Sequence, residues 1–307
     1  MKIRFIREIR VPFPFSGLML LVPSLFFAQP KHVPQITLQT GKYSLSVSVI
    51  ASDSAYLRVR TQNGHAVKKL TSDDFLITRD DDTAEIISCT ALTRSSTSDL
   101  AVSFILDNSS SMYHSYDSLT KYLDVFLDSL GIGLTVNVMA FDNVERKRSY
   151  DGTNHTELFI ASSEFTEDKS TIKEFWHSYD SIRTDFTPLY ETIIKGLERI
   201  IDRRKAGDSL RSEIMIVVTD GADNASSVNI EKLSELISVM PVTLFTVNFK
   251  SDPDGRLLWL AKKSRGDHYV AADLHGLQKT LEYLRKDISY SYKLVFRFPF
   301  RGAGGMH

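Results

Sequence analysis

The sequence predicts an α/β fold, a doubly wound and mainly parallel sheet with helices on both faces, accompanied by a small β-rich, sandwich-like domain. Three observations predict it. Between residues 99 and 288, apolar β-branched runs alternate with segments whose apolar residues recur at helical spacing, the pattern of parallel strands joined by crossover helices. Residues 43–92 instead hold short alternating runs split by turn signals, the pattern of half-buried strands. Finally, the buried runs 100–106 and 213–219 are each followed by an Asp, Asp107 and Asp220. Open parallel sheets bind ligands at the carboxyl edge of their strands, so both carboxylates are expected at one site.

With 307 residues, 42% hydrophobic and 24% charged, the chain has room for one large domain and a small one. A net charge of −1 supplies no broad basic field, so nucleic acid is not expected as a partner. No Cys/His spacing resembles a zinc site. Cys89 is the single cysteine, which excludes an internal disulfide, and its place in the alternating run 84–92 marks it as a packed strand residue.

Taken in order, residues 1–28 read as a secretory signal. Lys2, Arg4, Arg7 and Arg10 precede an apolar stretch, 18–27, that ends in Ala28, where cleavage is expected. An uncleaved anchor is the alternative, although Pro12, Pro14 and Pro23 interrupt the segment. Removal leaves a mature chain near −4, about three charges more negative. No later run is long enough to span a bilayer, so an exported chain is expected: periplasmic, surface-bound or secreted.

Residues 29–98 form the β-rich domain. The runs 43–50 and 55–60 alternate, Asn63-Gly64 signals a turn, and 74–78 and 85–89 supply two more strands across the solvated turn Asp80-Asp81-Asp82. So small a sheet has exposed edges, and the alternating run 291–298 within residues 289–307 is expected to pair with it, leaving the large domain inserted between. In that domain the run 100–106 is a strand, and Leu119, Tyr122, Leu123, Phe126 and Leu130 form the apolar face of a helix. A strand follows at 134–141, after which Asp142 is expected to open a loop near the ligand edge. The polar middle, 145–185, carries a helix over 170–179, with Trp176 packed rather than presented. Beyond it, Pro188 opens a helix over 189–204 whose basic end, Arg203-Arg204-Lys205, suits a helix carboxyl terminus. Strands at 242–249 and 268–271 and helices at 230–239, 256–264 and 274–288 complete the alternation, with His268 and His275 in the packing.

The loop after residue 106 carries the chemistry. Asp107, Ser109 and Ser111 alternate, so a tight loop can turn three oxygens toward one point. On these residues alone two readings stand, caps of the following helix or ligands of a hard divalent cation. Thr187, just before Pro188, and Asp220, within Thr-Asp-Gly, add oxygens at the same edge.

Asp107-x-Ser109-x-Ser111, Thr187 before Pro-Leu-Tyr, and Asp220 in Thr-Asp-Gly resemble the metal-ion-dependent adhesion site (MIDAS) of the von Willebrand factor A domains. The resemblance covers about residues 99–286 and departs at Ser110, where a Gly is common, and at Asp185-Phe186, which replaces a small pair. Thr184 competes with Thr187. The family implies a Rossmann-like sheet and a site in which Ser109, Ser111 and Thr187 offer hydroxyls to Mg²⁺, or Mn²⁺, with Asp107 and Asp220 binding directly or through water. It implies a binding module whose cation captures an Asp or Glu of a protein partner, and no catalytic residues. A Mg²⁺-dependent phosphate hydrolase is the alternative, but it would need an acid where Ser109 stands; a scaffold with an idle site is another.

Overall fold

The structure is a computed structural model that describes residues 35–38, 43–51, 53–61, 67–91, 100–131, 133–148, 154–178, 187–205, 212–221, 223–240, 242–249, 255–289 and 291–299. The leader segment, the Asn63-Gly64 turn, Thr184, Asp185-Phe186 and residues 301–307 lie outside them. The chain divides into two units, one formed by residues 1–91 with 290–307, the other by residues 92–289.

Among the described residues, the first unit holds two antiparallel sheets. Strands β1 (Gln35–Leu38), β4 (Phe75–Arg79) and β5 (Asp82–Thr83) make one, in that order. In the other, β13 (Ser291–Arg297) lies between β3 (Ser54–Thr61) and β6 (Glu85–Ala91), with β2 (Tyr43–Ala51) beyond β3. Alternation decides what they bury: Leu57 and Val59 of β3, Phe75 and Ile77 of β4, and Leu294 and Phe296 of β13 share one core. The Tyr292 hydroxyl ties β13 down, accepting from the Leu70 N–H at 3.2 Å and donating to the Val67 carbonyl at 2.9 Å. Cys89 is half-buried beside the Leu70 carbonyl, and burial, helped by the charge of Asp74, pushes its thiol up to about 11, so it stays an unreactive packing residue.

The second unit is one six-stranded sheet in the order β12-β11-β10-β7-β8-β9. Strands β7 (Leu100–Asp107), β8 (Thr135–Arg148), β10 (Ser212–Thr219), β11 (Val242–Phe249) and β12 (His268–Ala271) run parallel, and β9 (Asn154–Ser162) returns antiparallel at the edge. Helices α1 (Tyr113–Ser129), α2 (Lys169–Ser178) and α6 (Leu274–Ser289) cover one face; α3 (Leu189–Lys205), α4 (Ile230–Val239) and α5 (Gly255–Lys263) cover the other. Every residue of β7 is buried because both faces are covered. Ile105 packs with Ile193 and Leu197 of α3 in one layer, whereas Phe104 meets Phe126 and Trp176 edge-on in the other, at 6.0 and 5.7 Å between ring centroids. Trp176 is fully buried and donates its indole N–H to Asp124.

Two expectations change. Asp142 does not open a loop: β8 passes through it at a register shift between Phe141 and Asn143 and continues to Arg148, paired with β9. The bulge lets one strand leave its parallel partner β7 and enter a hairpin, with the bend taken up by the extra residue. Pro188 stands just before α3, as the sequence predicts, and its carbonyl accepts the first helical bond, from Thr192 N–H at 3.1 Å. Arg203 and Arg204 do more than suit a helix end, because both guanidiniums reach the buried Glu213 carboxylate at the start of β10.

Candidate metal centre

The chain leaves β7 for β8 on one side of the sheet and later crosses to β10 on the other, so the carboxyl ends of β7 and β10 meet where the winding reverses. Asp107 closes β7 and Asp220 directly follows β10. After Asp107, Ser109 precedes a single 3₁₀ turn, Ser110–Met112, that leads into α1.

Asp107 is wholly buried, and both carboxylate oxygens accept hydrogen bonds: Oδ1 from the Ser109 N–H at 2.9 Å, Oδ2 from the Thr219 hydroxyl at 2.5 Å. Thr219 was not singled out from sequence as a site residue. Its one proton goes to Asp107, and its oxygen accepts the Gly221 N–H at 3.2 Å, so it braces the Asp220 loop against the carboxylate. The Ser111 hydroxyl donates to Asp220 Oδ1 at 2.7 Å, which spends its proton; Ser109 Oγ, 3.1 Å from Ser111 Oγ, is therefore the donor of that pair. The hydroxyl protons run from Ser109 to Ser111 to Asp220. Asp107 and Ser109 are buried while Ser111 is exposed, so the array opens to solvent at Ser111. Thr187 is buried, and Asn224, four residues beyond Asp220, binds its backbone at two points.

Burial pushes the Asp107 carboxyl up to about 6; bonds from Thr219 and Ser109 pull it down, and the Asp220 charge adds to the rise. A cation beside it would remove that penalty, and two carboxylates with serine hydroxyls are an oxygen donor set suited to a hard divalent ion. The residues therefore fit a metal. Among the described residues no cluster of three or more His, Cys, Asp or Glu exists that offers a competing site. His268 belongs to the sheet, its Nδ1 2.7 Å from Thr246 Oγ1.

The Asp107 shift has a testable sign. Its folded value lies above its ordinary 3.8, so between those values the folded chain holds more protons than the unfolded one. In chelator, stability from this group is fully present below about pH 4 and is lost as pH rises through about 6, by roughly 3 kcal/mol at the limit. Denaturation at pH 4.5 and 7.5 should show it, and Asp107→Asn should flatten that part of the difference; equal slopes in both chains refute it.

A family model, "von Willebrand factor type A domain", matches residues 101–282. Proximal thread matrix protein 1 from the mussel byssus, in a structure described as having a zinc-occupied MIDAS motif, is similar at 15% identity and a TM-score of 0.53 over 68% of this chain and 50% of that one. A second structure of the mussel protein gives 16% and 0.51 over 69% and 50%. A von Willebrand factor type A protein from Catenulispora acidiphila gives 15% and 0.45 over 81% and 50%. The chain thus spans about half the length of each of these three solved structures. No curated protein matches it. With the family model covering the sheet from β7 to β12 and most of α6, the chain belongs to the von Willebrand factor type A domain family.

Proposed function

We propose that this chain is an exported protein-binding module in which Asp107, Ser109, Ser111, Thr187 and Asp220 hold a divalent cation that captures an Asp or Glu side chain of a partner protein. Domains of the family generally mediate metal-dependent protein interaction, which is the coarse part of this reading. The observation that carries the rest is the ordered array Ser109–Ser111–Asp220 beside the buried Asp107. When bound, the cation would supply an electrophilic centre for a carboxylate. The chain's own residues do the remaining work. Thr219 and the Ser109 N–H fix Asp107, Ser111 orients Asp220, and the exposure of Ser111 leaves a side open to the partner. Export rests on the leader-like run that begins with Lys2 and ends at Ala28.

Mg²⁺ is the expected ion for an oxygen set, with Mn²⁺ an alternative; the zinc-bearing mussel structure makes Zn²⁺ a third to test. Calorimetric titration of the three ions should give saturable binding in the parent chain and none in Asp107→Asn. The same variant should unfold at a higher temperature in chelator at pH 7.5, because it removes a buried charge and nearly keeps the shape. Ion binding that survives the substitution would refute the metal assignment.

A further inference from the structure

Helix α3 starts without a cap of its own. Pro188 occupies the N-cap position, and proline has no side-chain acceptor for the N–H groups of the next turn. The segment after β10 supplies acceptors instead. Asp223 Oδ1 accepts the Tyr190 N–H at 3.1 Å, and Ser226 Oγ accepts the Glu191 N–H at 3.1 Å. One step earlier, Asn224 takes both faces of Thr187: its Oδ1 accepts the Thr187 N–H at 2.7 Å, and its own N–H donates to the Thr187 carbonyl at 3.2 Å. Two bonds to the peptide groups on either side of one Cα restrict rotation about both of its backbone torsions. Asn224 is also only four residues from Asp220, so Thr187 is tethered to that carboxylate by at most about 14 Å of chain.

We propose that Asn224 is a positioning residue that sets the Thr187 hydroxyl relative to Asp220 for metal binding. This rests on the metal reading above. Asn224 contacts the Thr187 backbone and acts on the cation only through it. Three of the ligands, Asp107, Ser109 and Ser111, come from one short loop, but Thr187 comes from a different crossover and needs an external register.

The test is a double-substitution cycle on the full chain, reading Mn²⁺ affinity by calorimetry in the parent, Asn224→Ala, Thr187→Val and the double variant. Asn224→Ala is expected to weaken Mn²⁺ about tenfold, the scale of losing a group that orients a ligand. Thr187→Val removes the hydroxyl and keeps the shape. In that background Asn224→Ala should then cost nothing further. A full extra loss in the double variant, or parental affinity in Asn224→Ala, overturns the proposal while leaving the metal reading intact. Absence of Mg²⁺, Mn²⁺ and Zn²⁺ binding in the parent overturns both. Should Asn224→Ala fail to fold, Asn224→Ser replaces it in the cycle with the same expectation, because the shorter side chain cannot span to the Thr187 N–H.

Discussion

Replacing Gly266 with Ala is expected to cost about 3 kcal/mol or more, and to leave little folded protein at 37 °C. The carboxyl end of α5 closes against β11 backbone to backbone. Arg265 turns the chain with a left-handed φ of 65°, and its N–H reaches the Lys262 carbonyl at 3.1 Å while the Gly266 N–H reaches Ala261 at 2.7 Å. A Cβ on Gly266 would lie 1.6 Å from the Leu244 carbonyl oxygen, deep inside van der Waals contact with a central strand. No side chain can move to relieve it. Either α5 or β11 must shift, which pulls at the Ser264 hydroxyl bonded to the Leu244 N–H and at the Asp267 carbonyl bonded to the Thr246 N–H, where pairing of β12 begins. Urea denaturation of the purified variant decides the matter, and a midpoint equal to the parent's would mean that the approach is not as tight as described.

The second large effect is expected at Glu213. Its side chain is 1% exposed, and Arg203 and Arg204 at the end of α3 both reach the same carboxylate. Burial pushes the carboxyl up and the two guanidiniums pull it back; it is their proximity that allows a charge at this depth. Glu213→Ala leaves two nearly buried guanidiniums without their anion and is expected to cost about 3–5 kcal/mol. Replacing all three residues with Met should recover much of that, since apolar groups of similar volume need no partner. A triple variant as unstable as Glu213→Ala would show that the loss comes from packing and not from the stranded charge.

The strands and helices of the large sheet were legible because most bury at least one face, which forces an apolar period into the sequence. Helix α4 and strands β11 and β12 fall at the residues that the periodicity marks. The extension of β8 and its partner β9 were not legible: an edge hairpin takes its register from backbone pairing, and the polar run 142–157 carries no such period. Strand β1, only four residues long, is hidden for a related reason. At the site, the alternation of Asp107, Ser109 and Ser111 and the paired strand ends identified residues from loops that the fold brings together. Thr219 and Asn224 escaped because each acts on another residue. Thr219 reads as the last strand residue, and Asn224 as one polar loop position among several, until the hydrogen bonds of Asp107 and Thr187 are traced.

The placement of β13 between β3 and β6 governs the order of assembly. Ala91 faces Tyr292 across the ladder, roughly two hundred residues later in the chain, so a ribosome must deliver the whole large domain before that sheet can close. An unfolded insert of this length would make closure entropically slow, whereas an insert already folded shortens the effective gap. The early strands therefore wait with open edges during synthesis, and the time the large domain needs to fold sets how long those edges must be kept from pairing with other chains.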